Sequence, residues 1–296
     1  MSFSNFLLAL LIVVVWGLNF IFIKFGLNEI SPLWLCATRF ILASLPAIFF
    51  IKPPKPFRVA IWYGLVTFAI QFALLFLGIY AGISPGLASL ILQVQVFFSI
   101  FFAAIWLGEK PHSWQILGAI CSFIGLFVAG MYVNKEMPFT GFVLIVTASA
   151  FWGIGNYISK KASHNINMLS LVIWGSFIAS IPLLLLSLVF EGSNQIITSY
   201  HQLTWLGLIS VFYITYASTW FGYGVWNWLL KRYPVAVISP FTLLVPIVGL
   251  ASSAIILKEP FQTWKLFASL LVIGGLCINL LGARLFVTKR QKIKDY

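Results

Sequence analysis

The stretch that decides the fold runs from Ser84 to Glu109 and reads SPGLASLILQVQVFFSIFFAAIWLGE. It opens with a proline and a glycine and then stays apolar long enough to cross a bilayer as one helix. Gln93 and Gln95 interrupt it, and because lipid offers an amide no hydrogen-bond partner, each must face protein or water. Positions two apart on a helix point to nearly opposite sides, so one glutamine is expected to face a central cavity and the other to bond a neighbouring helix. The alternative is that both only tie helices together.

A second copy of this stretch runs from Ser239 to Glu259 and reads SPFTLLVPIVGLASSAIILKE. At an offset of 150 residues the copies align, which matches Glu109 with Glu259 and Trp114 with Trp264. The second copy carries two prolines that the first lacks inside the span. A proline breaks the backbone hydrogen-bond ladder, and membrane spans tolerate such breaks where protein or a water-filled cavity satisfies the freed groups.

The composition excludes a soluble protein. Of the 296 residues, 61% are hydrophobic and 8% are charged, and the mean hydropathy is +1.03, which is typical of a chain embedded in a lipid bilayer. The net charge of +12 does not indicate a nucleic-acid partner, because the basic residues are scattered over short loops and the tail. The three cysteines show neither disulfide nor metal spacing. We therefore expect no nucleic acid, no metal and no cofactor.

The hydropathy pattern predicts an all-α membrane protein with ten transmembrane helices and no extramembrane domain between them. The predicted spans are Asn5–Lys24, Pro32–Ile51, Val59–Tyr80, Pro85–Leu107, Ser113–Tyr132, Phe139–Lys160, Met168–Phe190, Thr204–Leu230, Pro234–Leu257 and Thr263–Phe286. With the N-terminus inside, the inner segments hold 13 of the 18 lysines and arginines and the outer segments hold 4. This asymmetry predicts that both termini are cytoplasmic.

The spans repeat along the chain. Trp16–Phe20 (WGLNF) in span 1 resembles Trp152–Tyr157 (WGIGNY) in span 6, and spans 4 and 9 match as described above. The sequence thus predicts two five-helix repeats, residues 1–135 and residues 136–296, the second with a basic cytoplasmic tail. Because five is an odd number, the repeats insert with opposite topology. Inverted repeats are typical of transporters, whose substrate site lies near the midplane between the halves.

Equivalent helices of the two halves carry an aromatic residue beside an amide. Trp16 and Asn19 are three residues apart and Trp152 and Asn156 are four apart, so each pair shares one helix face. These four side chains can line a cavity between the halves. They can equally serve as packing and as hydrogen bonds between helices.

Span 8 carries a stripe of polar aromatic residues. Tyr213, Tyr216, Trp220, Tyr223 and Asn227 are spaced by three or four residues, as on one face of an α-helix. At about 1.5 Å per residue the stripe is about 20 Å long, which exceeds one interfacial belt and favours a cavity wall. Its rings could hold a substrate ammonium by cation–π contact, worth about 0.5–2 kcal/mol.

Charge inside the spans is scarce. Arg39 is the only clearly intramembrane charge; such an arginine costs about 2.5–3.5 kcal/mol on insertion scales. It is either an anchor for a substrate carboxylate or a structural partner of backbone carbonyls or of Glu29. The structural interpretation is favoured because the equivalent position of the second half is Gly175. No span holds a central carboxylate or histidine, so facilitated diffusion is as plausible as proton antiport, and coupling or gating would fall to Arg39, Glu109 or Glu259.

The repeat, WGLNF at 16–20, GLASLILQVQVFF at 86–98, the glutamate closing span 4 and LLVPIVGLAS at 243–252 together resemble the EamA family of the drug/metabolite transporter superfamily. The resemblance covers essentially the whole chain and is nearest to the bacterial exporters of O-acetylserine and cysteine. It implies outward transport of amino-acid metabolites across the inner membrane, with a cavity lined from spans 1, 3, 4, 6, 8 and 9. The lining spans come from the resemblance, and the residues chosen within them from the sequence are the predicted substrate-binding residues: Trp16, Asn19, Gln71, Gln93, Gln95, Trp152, Asn156, Tyr216, Trp220 and Tyr223.

The predicted function is export of small metabolites of the cysteine and O-acetylserine type by alternating access, with a small-molecule substrate and the lipid bilayer as partners. A homodimer is left open. The first alternative is transport of a nucleotide sugar, a lipid carrier or a drug; a nucleotide sugar or lipid carrier would need more cationic residues facing the cavity. The second is a membrane-embedded lipid-modifying enzyme, which would need carboxylates, histidines or a metal near the interface. No catalytic residue is predicted.

Overall fold

A computed structural model describes residues 2–108, 110–132, 137–162, 166–233, 239–259 and 262–294. This part of the chain is built from helices and contains no β-strand, as the hydropathy pattern predicts. The helices are α1 (Phe3–Leu27), α2 (Pro32–Ser44), α3 (Arg58–Tyr63), α4 (Gln71–Tyr80), α5 (Pro85–Leu92), α6 (Gln95–Leu107), α7 (Ser113–Gly130), α8 (Phe139–Ala162), α9 (Met168–Phe190), α10 (Gly192–His201), α11 (Trp205–Phe212), α12 (Tyr223–Arg232), α13 (Val245–Ile256) and α14 (Thr263–Lys294).

Seven helical stretches within the described ranges are long and apolar enough to cross a membrane. Two shorter apolar helices cover Val245–Ile256 and Thr263–Asn279. The segment predicted over Thr204–Leu230 is helical from Trp205 to Arg232 but is not among the seven. The chain is therefore a helical membrane protein, and the count of ten spans stays a prediction.

Span 2 is shorter than predicted. Its helix ends at Ser44, and Leu45 is extended, with φ −96° and ψ 139°. The cause is Pro46, because a proline disfavours the α conformation in the residue before it. A short 3₁₀ turn follows, and α9 satisfies carbonyl groups beyond it: Trp174 Nε1 donates to the Ile51 carbonyl at 2.8 Å.

Span 4 is not one continuous helix. It breaks at Gln93 and Val94, between α5 and α6. There each backbone hydrogen bond spans three residues instead of the four of an α-helix. Gln93 N donates to the Leu90 carbonyl at 3.2 Å, and Val94 N donates to the Ile91 carbonyl at 3.1 Å. Neither proline nor glycine marks this break, so the hydropathy pattern alone predicts an uninterrupted span.

Two spans contain a π-helical segment. Gly64–Ile70 joins α3 to α4, and Tyr213–Gly222 joins α11 to α12. A π-helix bonds each N–H to the carbonyl five residues earlier and therefore turns through a smaller angle per residue than an α-helix. In the second segment the Thr219 hydroxyl donates to the Ile214 carbonyl, also five residues earlier, at 3.0 Å.

Helices α7 and α14 approach each other closely through small residues. A Cβ atom at Gly275 would overlap the Gly118 carbonyl oxygen and the Ser122 hydroxyl. Ser122 Oγ donates to the Val272 carbonyl at 3.0 Å. Small residues allow such backbone contact, which in a bilayer replaces the hydrophobic effect as a source of helix association.

Gly275→Ala is expected to separate these two helices and to reduce stability by about 1–3 kcal/mol, as overpacking does elsewhere. Gly274→Ala is the matched control, because nothing lies within 4 Å of a Cβ at that position. Thermal unfolding of the purified protein in detergent measures the difference. Equal unfolding temperatures for the two variants would contradict the close contact.

Candidate functional site

A cavity of about 250 Å³ lies among helices from both ends of the chain. Side chains from α1, α4, α5, α6, α8 and α12 line it, and so does one from α2. Of the ten predicted substrate-binding residues, eight are on its wall: Trp16, Asn19, Gln71, Gln93, Gln95, Trp152, Asn156 and Tyr223. The structure thus gathers residues that lie up to about two hundred positions apart in the sequence, while their role in binding stays a prediction.

Tyr216 and Trp220 are not among the residues that line this cavity. The Trp220 indole instead donates to the Ala43 carbonyl at 2.8 Å, and the Tyr216 ring packs edge-on against Trp220 at 5.4 Å. The spacing argument assumed an α-helix, whereas both residues lie in the π-helical segment. Its smaller turn per residue rotates them away from the direction of Tyr223, which begins α12.

Both glutamines of span 4 line the cavity, rather than one of them. The break at residues 93 and 94 removes the α-helical geometry that would point them to opposite sides. Each also bonds another segment: Gln93 Nε2 donates to the Thr242 carbonyl at 2.7 Å, and Gln95 Oε1 accepts from Asn156 Nδ2 at 2.7 Å. Asn156 Nδ2 also donates to Ser99 Oγ at 2.9 Å.

Arg39 is 1% exposed and lines the cavity. Its Nε and Nη2 atoms donate to Thr219 Oγ1 at 3.3 and 3.1 Å, and its guanidinium lies 4.3 Å from the centre of the Phe72 ring. Glu29, one of the partners that the structural interpretation allowed, does not pair with Arg39: the Glu29 carboxylate accepts from the Thr204 N–H and hydroxyl. Within the described residues, Arg39 has no acidic partner.

Three of the lining residues, Trp16, Tyr223 and Trp226, form an aromatic wall of the cavity. The Trp16 ring lies 5.6 Å from that of Tyr223 and 5.4 Å from that of Trp226. Trp16 Nε1 donates to the Ser218 carbonyl at 3.1 Å. The cavity residues that the sequence-based selection did not contain include Phe20, Phe72, Ser89, Ser218, Trp226 and Thr242. Trp226 could have been found, because it lies three residues after Tyr223 on the same helix.

The chain matches the EamA-like transporter family over residues 4–131 and 139–281. The chain belongs to this family. It is 40% identical over 290 residues to a protein of Escherichia coli (strain K12) named "Probable amino-acid metabolite efflux pump", covering 96% of this chain and 97% of that protein. A protein of the same name from Salmonella typhimurium (strain LT2) is 40% identical over 296 residues, covering 98% and 99%. A crystal structure of another protein matches with a TM-score of 0.66 at 15% identity, covering 97% of this chain and 99% of that one.

Family membership makes the chain a transporter, as predicted, and not an enzyme. Together with its apolar helices it makes the chain a multi-pass bacterial membrane protein. The similarity to the crystal structure concerns the fold alone.

Three polar atoms on or beside the EamA transporter's cavity are buried without a hydrogen-bond partner: Asn19 Oδ1, Arg39 Nη1 and Gln71 Nε2. Asn19 is 6% exposed and Gln71 is 1% exposed. An unsatisfied buried donor or acceptor costs about 1–3 kcal/mol, and more when it is charged. The cavity therefore offers two donors, one of them cationic, and one acceptor that a polar solute could satisfy.

Of the two glutamates predicted for coupling, only Glu259 lies within the described residues. Glu109 is outside the described residues. Glu259 follows α13, is half-buried and does not line the cavity. In the ranges that the structure describes, no three His, Cys, Asp or Glu side chains form a group that could hold a metal ion.

Gln93→Met is expected to destabilise the transporter by about 1–3 kcal/mol, because the Thr242 carbonyl loses this donor. Gln202→Met removes an exposed amide just after α10 and serves as the control. Both variants are compared with the parent by thermal unfolding in detergent. An unchanged unfolding temperature for Gln93→Met would show that the hydrogen bond across the span 4 break contributes nothing to stability.

Proposed function

We propose that this EamA transporter exports small amino-acid metabolites of the cysteine and O-acetylserine type across the bacterial inner membrane by alternating access. The observation that carries the proposal is a small cavity, lined by amides, aromatic rings and one arginine, in a chain that is 40% identical over almost its whole length to a probable amino-acid metabolite efflux pump. Amide groups and one cation can form hydrogen bonds with the charged groups of a zwitterion, and aromatic faces can bind its ammonium by cation–π contact.

The proposed architecture is ten transmembrane helices in two inverted five-helix repeats, residues 1–135 and residues 136–296. In its favour, the family match falls into two segments that meet near this boundary. In addition, residues that are equivalent at an offset of 150 touch each other: Cys121 Sγ contacts the Leu271 carbonyl at 3.4 Å, and Ser122 Oγ bonds the Val272 carbonyl. Contact between equivalent residues is expected along a two-fold axis.

The two halves are proposed to rock against each other around the cavity, which alternately opens to either side of the membrane. The excess of lysine and arginine in the inner segments, 13 against 4, supports a cytoplasmic location for both termini. Substrate would then enter from the cytoplasm and leave on the other side. A homodimer is compatible with this mechanism and is not required by it.

The cavity size speaks against the larger substrates. At about 250 Å³ it lies below the range of about 300–1,000 Å³ that is usual for sites of drug-sized ligands. A nucleotide sugar or a lipid carrier would exceed it. Such a substrate would also bring phosphate charges, and Arg39 is the only cationic side chain among the residues that line the cavity.

Trp152→Ala is expected to lower the initial rate of labelled cysteine or O-acetylserine uptake into proteoliposomes by about 2- to 30-fold, because one of the aromatic faces that line the cavity is lost. Trp205→Ala is the control, because this side chain is 80% exposed and remote from the cavity lining. Equal rates for Trp152→Ala and the parent would contradict the proposed site.

The same assay with and without an imposed pH gradient tests the energy coupling. No carboxylate or histidine lies among the residues that line the cavity, so transport is expected to ignore the gradient. Transport driven by the gradient would direct attention to glutamates outside the cavity. Absence of transport of both solutes by the parent protein would overturn the substrate assignment.

A further inference from the structure

We propose that Arg39 and Gln71 form the subsite that holds the carboxylate of the transported molecule. The inference rests on the proposed function and assigns the two ends of the substrate within the cavity. It reverses the interpretation that the sequence favoured for Arg39, which was purely structural.

The guanidinium is fixed but not neutralised. Its Nε and Nη2 atoms are held by the Thr219 hydroxyl, and its face is covered by the Phe72 ring. The remaining nitrogen, Nη1, is buried and has no hydrogen-bond partner. A buried charge without a counter-ion is strongly unfavourable. The arrangement therefore holds a cationic donor on the cavity wall with one nitrogen that no protein group satisfies and that a bound solute can.

The second donor, Gln71, also lines the cavity. Gln71 directly precedes Phe72, whose ring covers the guanidinium, and Gln71 Nε2 is likewise buried without a partner. A carboxylate has two acceptor oxygens and can take bonds from both groups, and bonds to a charged donor are about twice as strong as neutral ones. The chemistry of this pair thus favours a carboxylate over an uncharged polar group.

The other charged group of the substrate is assigned from the unpaired acceptor. Asn19 Oδ1 is buried without a partner, and its neighbour three residues earlier, Trp16, belongs to the aromatic wall with Tyr223 and Trp226. An amide oxygen and ring faces attract an ammonium group. The cavity is therefore arranged for an α-amino acid, with its carboxylate towards Arg39 and its ammonium towards Asn19.

The test compares solutes that differ in one charged group. Cysteine, cysteamine (which lacks the carboxylate) and 3-mercaptopropionate (which lacks the ammonium) are titrated against the purified protein, and so are alanine, ethylamine and propionate. Thermal stabilisation reports binding. We expect each carboxylate-bearing solute to bind at least about tenfold more tightly than its matching amine, the discrimination that one charged hydrogen bond provides.

Arg39→Gln is expected to remove that preference and to leave binding of the amines unchanged. Thr219→Val keeps the charge of Arg39 but removes the hydroxyl that holds its guanidinium. We therefore expect a weaker preference for the acids over the amines. Arg58→Gln, at the exposed first residue of α3, is the control. If Arg39→Gln does not fold, the solute series on the parent protein still tests the subsite. Equal affinity of the parent protein for each acid and its matching amine would overturn the subsite. Failure of the transport assay alone would overturn the proposed substrate and not the subsite.

A second and independent observation concerns one end of the helix bundle. The Glu191 carboxylate at the end of α9 accepts from Ser31 Oγ at 2.8 Å, Leu33 N at 2.7 Å and Trp34 N at 3.0 Å, and so caps the N-terminus of α2. The Glu29 carboxylate after α1 accepts from Thr204 N at 2.8 Å and Thr204 Oγ1 at 2.6 Å, at the N-terminus of α11. Free N–H groups at helix starts favour such anions.

We infer that these two carboxylate caps hold the two halves together at this end of the bundle and act as a gate that must open before the cavity can open there. Each joins a residue of the first half of the chain to one of the second half. Arg39 follows Trp34 by five residues on α2, so the caps lie only about 8 Å along the helix from the cavity wall. Opening the cavity at this end requires the two halves to separate there. Both carboxylates must then lose their hydrogen bonds to the other half and bind water instead.

Cys36 reports separation of the two halves near the caps, because it lies on α2 between Trp34 and Arg39, is 0% exposed and is not among the residues that line the cavity. With Cys121 and Cys277 replaced by alanine, a charged methanethiosulfonate reagent is expected to modify Cys36 at least about fivefold faster in the Glu29→Gln, Glu191→Gln double variant than in the parent. Glu259→Gln is the control. The elution volume and Trp fluorescence must match the parent, so that unfolding is excluded. An unchanged modification rate in a folded double variant would overturn the gate.

Discussion

A backbone N–H or carbonyl inside a bilayer must find a partner within the protein, because lipid supplies none. This constraint governs how the chain tolerates its irregular helices. Where regular bonding is interrupted, a side chain from a distant helix completes it. Gln93 donates to the Thr242 carbonyl, Trp16 to the Ser218 carbonyl and Trp220 to the Ala43 carbonyl. Each of these bonds also joins two helices that are far apart in sequence.

The same irregularities create the site. The break in span 4 turns both of its glutamines towards the cavity, and the π-helical segment before α12 brings Thr219 to the guanidinium of Arg39. Regular α-helices would pack with fewer free polar groups and leave less room between them. The departures from helical regularity and the candidate cavity thus have one origin, in keeping with the frequent occurrence of π-helical turns at functional sites.

The acidic side chains at one end of the bundle are separated from the arginine in the cavity. The carboxylates of Glu29 and Glu191 bind helix N-termini, where N–H groups stabilise them. Because these acids are occupied at one end of the bundle, they leave Arg39 without a counter-ion inside the cavity. A transporter that binds a zwitterion benefits from this separation, since an internal ion pair would have to break before the substrate could bind.

The sequence by itself determined the membrane class, the family and most of the candidate cavity residues. Hydropathy, the repeat and the pairing of aromatic and amide residues depend only on residue type and spacing, so a linear pattern reveals them. It could not reveal the break at Gln93, the π-helical segment that turns Tyr216 and Trp220 away, or the free guanidinium of Arg39. Those features depend on hydrogen bonds between residues about 150 to 200 positions apart, and only tertiary packing decides which of the available partners meet.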